Sequence, residues 1–215
     1  KKMERLISEA ETFARSNDPV LIFGETGSGK EVLARLIHKM SRRSKGPFVA
    51  VNCAAIPENL AESELFGHSK GAFTGAVEAR KGKFQAASEG TLFLDEIGEL
   101  PPPLQAKLLR AIEDEKIEPV GSDKGINVSV WILAATNSDL LKWIKDGRFR
   151  QDLYYRISGL KLEVPPLRER KEDIEPLARF FLEEAFQREG WAFREPGAGF
   201  FRSEEHTSEL QSRQS

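Results

Sequence analysis

At 215 residues, with 40% apolar and 31% charged side chains, the chain has a globular balance, which excludes disorder from low hydrophobicity and a chain built around a membrane span. Its 32 basic residues face 34 acidic ones, so no global positive field draws it to nucleic acid or an anionic membrane. Cys53 is the single cysteine, which excludes an internal disulfide and a cysteine-rich zinc site and leads us to expect a reducing, cytoplasmic setting.

Residues 1–18 read as an amphipathic helix and not as a signal peptide, because no charged start is followed by an apolar block. Val20-Leu21-Ile22-Phe23 is the first of five short apolar runs expected to be strands; the others are 48–51, 91–94, 128–135 and 160–164. Most are apolar on both faces, as in a covered parallel sheet. Between the first two, Val32, Leu33, Leu36, Ile37 and Met40 fall on one helical stripe, and Leu104, Leu108, Leu109 and Ile112 do so before the fourth. This alternation predicts βαβ units and an open α/β sheet. Pro165-Pro166 closes the sheet region, since proline neither continues a central strand nor admits a helix just before it. We therefore expect an α/β core over 1–165 and a partial helical lid over 166–201, with Ile174, Leu177, Ala178, Phe181, Leu182 and Phe186 on one stripe. Residues 202–215 are polar and aperiodic. They read as a non-native or disordered tail, in which 202–212 looks like a translated sequencing adapter.

Gly24-Glu25-Thr26-Gly27-Ser28-Gly29-Lys30 follows a predicted strand and opens a predicted helix, the setting of a Walker A loop. Its backbone N–H groups would wrap phosphate oxygens, the helix start adds partial positive charge, and Lys30 reaches the outer phosphates. Glu31 stands where the general P-loop has a Ser or Thr for Mg²⁺. Thr91-Leu92-Phe93-Leu94-Asp95-Glu96 is an apolar strand ending in two carboxylates, a Walker B arrangement. Asp95 would hold Mg²⁺ and Glu96 would orient or deprotonate the attacking water. Acidic pairs at strand ends are commonly just solvated, and the upstream loop is what favours the functional reading here. Asn137, after the fourth run, would present its amide beside a γ-phosphate, although asparagine at a strand end also fits simple turn chemistry. If 149–156 is helical, Arg150 and Arg156 lie roughly 120° apart around its axis and cannot act as one fork. A split role fits them better, and spacing does not say which engages phosphate.

Gly71-Ala72-Phe73-Thr74-Gly75-Ala76 has small residues around one aromatic, the composition of a mobile loop. Burial energy alone would tuck Phe73 into the core, since exposure forfeits a few kcal/mol. The hexapeptide, however, resembles the signature of the sigma-54-dependent transcription activators, the bacterial enhancer-binding proteins. The likeness runs over 20–170 and includes Glu31, the strand at 90–96, Ala134-Ala135-Thr136-Asn137, 149–156 and Pro165-Pro166-Leu167-Arg168-Glu169-Arg170. Ser69 departs from it, occupying a position that is often acidic.

The resemblance implies an α/β AAA+ P-loop NTPase fold, with an open parallel sheet flanked by helices and a truncated C-terminal helical lid. It implies ATP and Mg²⁺ as cofactors, a homo-oligomeric ring, expected to be a hexamer, and sigma-54 of RNA polymerase as the partner of the loop at 71–76. Asn137 resembles the family's sensor I residue. Arg150 and Arg156 resemble its candidate trans-acting arginines, and Asn52 the switch asparagine that hydrogen-bonds the Walker B glutamate, here Glu96. DNA binding is expected from a domain absent from this chain, and no membrane contact is expected. The function expected is ATP-driven conversion of closed to open promoter complexes. The alternatives are a regulatory module that holds nucleotide without turnover and an unrelated P-loop kinase; the catalytic set speaks against the first and the hexapeptide against the second.

Overall fold

The computed structural model describes residues 2–191. The tail expected at 202–215, and residues 192–201 of the expected lid, lie outside the described residues. Two compact units divide between Pro166 and Leu167.

The first unit opens with α1 (Lys2–Phe13), β1 (Val20–Phe23), α2 (Lys30–Met40) and β2 (Phe48–Asn52). It continues with α3 (Glu58–Phe66), the short strands β3 (Gly67–His68) and β4 (Arg80–Lys81), α4 (Lys83–Ala86) and β5 (Gly90–Asp95). Then follow α5 (Pro102–Asp114), the short strands β6 (Lys116–Ile117) and β7 (Ile126–Asn127), β8 (Val130–Thr136), α6 (Leu140–Lys145), α7 (Gln151–Ile157) and β9 (Leu160–Glu163). α1 is shorter than the helix expected over 1–18. Ser16 Oγ donates to Asp18 Oδ2 at 2.7 Å and accepts from the Asp18 N–H at 3.0 Å, a local arrangement that competes with the helical ladder, and Pro19 has no N–H to continue it.

Five strands form one parallel sheet in the order β2-β5-β8-β1-β9. Side chains alternate across it with period two. Leu21, Leu92, Leu94, Ile132 and Ala134 join Leu65 of α3, Leu108 of α5 and Leu153 of α7 on one face. Val20, Ile22, Phe93, Leu133 and Ala135 join Leu6 of α1 and Leu33 and Ile37 of α2 on the other. Because both faces are covered, the central strands β1, β5 and β8 are apolar without alternation, which is why their sequence reads as continuous runs, whereas the edge strand β9, Leu160-Lys161-Leu162-Glu163, alternates. Phe93 is fully buried, and truncating it to alanine should cost about 3–5 kcal/mol.

The strand order sets the site. Four adjacent strands, β2, β5, β8 and β1, deliver Asn52, Asp95 with Glu96, Asn137 and the Gly24–Lys30 loop in that spatial order at their carboxyl ends. That is the edge of an open α/β sheet where ligands bind.

The second unit, described by itself, begins with single turns of 3-10 helix at Leu167–Glu169 and Lys171–Asp173, followed by α8 (Ile174–Arg188). Within α8, Arg179 pairs with Glu175 one turn back at 2.9 Å, an exposed contact worth a few tenths of a kcal/mol.

Candidate active site

The loop between β1 and α2 is shaped by Gly27 and Gly29, whose φ values of 76° and 98° lie in the left-handed region. A Cβ there would meet nothing within 4 Å, so the backbone conformation, not space, calls for glycine. Lys30 is almost fully buried, and its Nζ donates to the carbonyls of Gly24 at 3.0 Å and Glu25 at 3.3 Å and to Glu96 Oε1 at 3.4 Å. Glu31, the departure from the general P-loop, lines the same cleft, but its Oε1 accepts from Arg35 Nη2 at 2.6 Å and Nε at 2.9 Å.

β5 ends at Asp95, and Glu96 turns the chain through a left-handed φ of 50°, uncommon for a residue with a Cβ. The Glu96 N–H donates to Asp95 Oδ1 at 3.1 Å. Burial first, and then the adjacent Glu96 carboxylate, push the Asp95 carboxyl above its ordinary value, with Lys30 partly offsetting them. Glu96 is held at both oxygens: Lys30 at Oε1, and the Asn137 backbone N–H donating to Oε2 at 3.2 Å. Asn137 Nδ2 donates to Thr26 Oγ1 at 2.9 Å. Thus Thr26, Lys30, Glu96 and Asn137 form one polar chain, and Thr26, Lys30 and Glu96 line a cleft of about 380 Å³ together with Asn52, Asp95 and Glu31.

This cleft fits a nucleotide with a hard cation. The described residues contain no group of three or more metal-ligating side chains, so a cation here would complete its shell with phosphate and water oxygens, the habit of Mg²⁺. Asp95, at the end of β5 and lining the cleft, is the carboxylate that could hold it.

Asn52 pairs in register with Asp95 across β2 and β5. Its Oδ1 accepts from the Ala54 N–H at 3.0 Å, capping the turn Cys53–Ala55. The Asn52–Glu96 hydrogen bond implied by the family resemblance is not formed: Asn52 Oδ1 serves that cap, and Glu96 accepts from Lys30 and Asn137 instead. Between them, Cys53 is buried, and burial first, then the Asp95 and Glu96 carboxylates, push its thiol up to about 12.

Arg150 and Arg156 do not meet and neither lines the cleft. Arg150 caps the start of α7, its N–H donating to Oε1 of the buried Gln105 at 2.8 Å. Its guanidinium holds Asp152 in a two-pronged contact, Nε to Oδ1 at 3.0 Å and Nη2 to Oδ2 at 2.6 Å. That hydrogen bonding keeps the Asp152 carboxyl below the usual carboxylate range. Arg156, within α7, donates from Nη2 to the Ile112 carbonyl of α5 at 3.3 Å.

The hexapeptide loop is closed on itself: the Gly71 N–H donates to Ala76 O at 2.8 Å and the Ala76 N–H to Phe73 O at 3.0 Å. Phe73 is neither buried in the core nor free; it is 41% exposed, its ring 5.0 Å from that of His68. Thr74 is exposed. The loop's root is tied to the segment after β6, where Ser69 N–H donates to Val120 O at 3.0 Å and Ser69 Oγ to Gly121 O at 2.8 Å. A Cβ on Gly121 would lie 2.7 Å from Ala72 Cβ. The bonds of the Ser69 hydroxyl need a side-chain donor, which an ionised acidic residue at this position would not supply, whereas the backbone N–H bond is open to either.

Sequence reasoning missed Gln105, Gly121, Ser138 and Asp152. Gly121, between Val120 and Ser122, carries a turn signal; the others are single polar residues whose partners only the fold supplies.

The Sigma-54 interaction domain family model matches residues 1–163. The chain is 57% identical over 180 residues to the transcriptional regulatory protein FlbD of Caulobacter vibrioides, covering 84% of this chain and 40% of that protein. It is 55% identical over 181 residues to the regulatory protein AtoC of Escherichia coli, covering 84% and 39%. It therefore spans about two fifths of the length of these relatives. Among solved structures, NtrX from Brucella abortus in complex with ATP superposes with a TM-score of 0.84 at 37% identity, covering 92% of this chain and 42% of that one. The P-loop NTPase domain of a sigma-54 activator from E. coli, at 16% identity and a TM-score of 0.52 over 77% of this chain and 95% of that one, shares the fold. Among the described residues, no helix is long and apolar enough to cross a membrane. A five-stranded parallel sheet bearing a P-loop, an acidic strand end and the hexapeptide loop, together with a family match over most of its length, makes this chain a member of the sigma-54 interaction domain family, the AAA+ modules of sigma-54-dependent transcription activators.

Proposed function

We propose that this domain hydrolyses ATP between the subunits of a homo-oligomeric ring, as a hexamer, and drives the Phe73 loop against sigma-54 to convert a closed promoter complex to an open one. The observation that carries the reading is the convergence of Lys30, Glu96 and Asn137 at the ends of adjacent strands, joined by hydrogen bonds. The NtrX structure with bound ATP supports nucleotide as the ligand. The N–H groups of residues 24–30 bind the phosphates and Lys30 neutralises the outer ones. Mg²⁺, held by Asp95, would supply charge neutralisation and alignment of phosphate oxygens. Glu96 orients the attacking water and accepts its proton, and the Asn137 amide donates toward the terminal phosphate. Arg150 is exposed at the start of α7, as a residue serving a neighbouring subunit's site must be. Arg156, bonded to α5, holds α7 in place. Asn52, beside Asp95, is placed to read the Walker B end and pass its state toward residues 71–76. DNA contact belongs to another part of the protein, and the cytoplasm is its compartment.

The test is ATPase rate against protein concentration, beside Glu96→Gln. Specific activity that rises with concentration and vanishes in the variant supports catalysis shared across subunits. A flat, negligible rate with nucleotide still bound would instead make this a binding module. Thr74→Ala should then abolish sigma-54 engagement while sparing hydrolysis; loss of both would make the loop structural.

A further inference from the structure

Asn137 stands at an exposed strand end, where an amide side chain is free to rotate and to present either its NH₂ or its oxygen to the cleft. Only the NH₂ helps, because a carbonyl oxygen facing anionic phosphate is repelled. Two hydroxyls settle the orientation. Thr26 Oγ1, in the P-loop, accepts from Nδ2 at 2.9 Å, and Ser138 Oγ donates to Oδ1 at 3.0 Å from the opposite end of the amide. Ser138 is itself anchored, its N–H donating to Oγ1 of the buried Thr136 at 3.0 Å. The Gly24 N–H donates to the Thr136 carbonyl at 3.2 Å, so the end of β8 is stitched to the P-loop at two places. P-loops hold phosphate chiefly through backbone N–H groups and the lysine, which leaves the Thr26 hydroxyl available for Asn137.

We propose that Thr26 and Ser138 are positioning residues, acting through Asn137, that aim its NH₂ at the terminal phosphate and so let the site tell a triphosphate from a diphosphate. The inference rests on the proposed function for the identity of the ligand, but its test does not need turnover.

The experiment measures, on the full chain, the dissociation constants of ADP and of the non-hydrolysable triphosphate AMP-PNP, and takes their ratio for wild type, Thr26→Val, Thr26→Ser, Ser138→Ala, Asn137→Ala and the double variant Thr26→Val/Asn137→Ala. One neutral hydrogen bond corresponds to about a fivefold effect. Thr26→Val and Ser138→Ala should each lower triphosphate preference about fivefold toward the Asn137→Ala value. Thr26→Ser should restore it, and the double variant should be no worse than Asn137→Ala alone. Equal weakening of both ligands in Thr26→Val would overturn the proposal, making Thr26 a general phosphate or folding residue. Additive losses in the double variant would overturn it too. A wild type that binds both ligands but never turns over ATP would defeat the proposed function and leave this ratio to decide the inference. A wild type that binds neither defeats both.

Discussion

The Lys30 ammonium meets Glu96 Oε1 at 3.4 Å, in a contact where the two side chains are only 6% and 16% exposed. It is the one cation bonded to the Walker B end among the described residues, and two carboxylates depend on it. Lys30→Met should remove nucleotide binding and cost about 1–3 kcal/mol, the penalty for stranding a partly buried polar partner. Chemical denaturation and a fluorescent ATP analogue check both. Unchanged stability would mean that solvent, not Lys30, compensates the carboxylates.

Asp95 should behave in the opposite sense. Its carboxyl is pushed above its ordinary value by burial and by Glu96, so the ionised form is less comfortable folded than unfolded, and at neutral pH the group lowers stability. Asp95→Asn should therefore raise the melting temperature at neutral pH while abolishing hydrolysis. The gain should shrink as pH falls below the ordinary aspartate value, where folded and unfolded chains are both protonated. Melting curves across pH, with and without the substitution, decide it.

His38 supplies a second pH dependence. Its Nδ1 lies 2.9 Å from Thr91 Oγ1, and burial first, then Arg35, lower its pKa below the ordinary 6.5. The neutral ring is favoured in the fold, so its contribution is complete above the unfolded value and is lost as pH falls through the folded one. Melting temperature should drop as pH falls below about 6.5, and His38→Gln should flatten that slope.

The Cys53 thiol, pushed up to about 12 and buried, should resist alkylation in the native chain and react on unfolding, since the thiolate is the nucleophile. Mass spectrometry after timed iodoacetamide treatment reads this directly. Fast native labelling would mean that the turn Cys53–Ala55 opens readily.

Gly121→Ala should unseat the hexapeptide loop. The added Cβ would sit 2.7 Å from Ala72 Cβ, at a φ of 74°, and the left-handed conformation alone costs roughly 1–2 kcal/mol. Hydrogen exchange at the Gly71 N–H, which donates to Ala76 O, should accelerate, and sigma-54 binding should weaken. Ser69→Asp, placing a carboxylate against the carbonyls of Val120 and Gly121, should do the same without a steric clash.

The strands were legible because a sheet covered on both faces leaves runs such as Leu92-Phe93-Leu94 apolar throughout, and the P-loop because its spacing is set by the phosphate it must wrap. The paired strands β3 with β4 and β6 with β7 were not, since two residues carry no periodicity. Nor was the arrangement of the arginines: Arg150 depends on Gln105 and Asp152, and Arg156 on a carbonyl of α5, partners that only tertiary folding brings near. Phe73 was legible as a loop residue but not as one resting on His68.

The Phe73 loop has two roots, one in the chain that carries it and one in the turn at Gly121 that Ser69 grips. It is a yoke, not a whip. The hydrogen bonds at Ser69 tie the two roots together. Those bonds must break before the loop can part from the turn at Gly121.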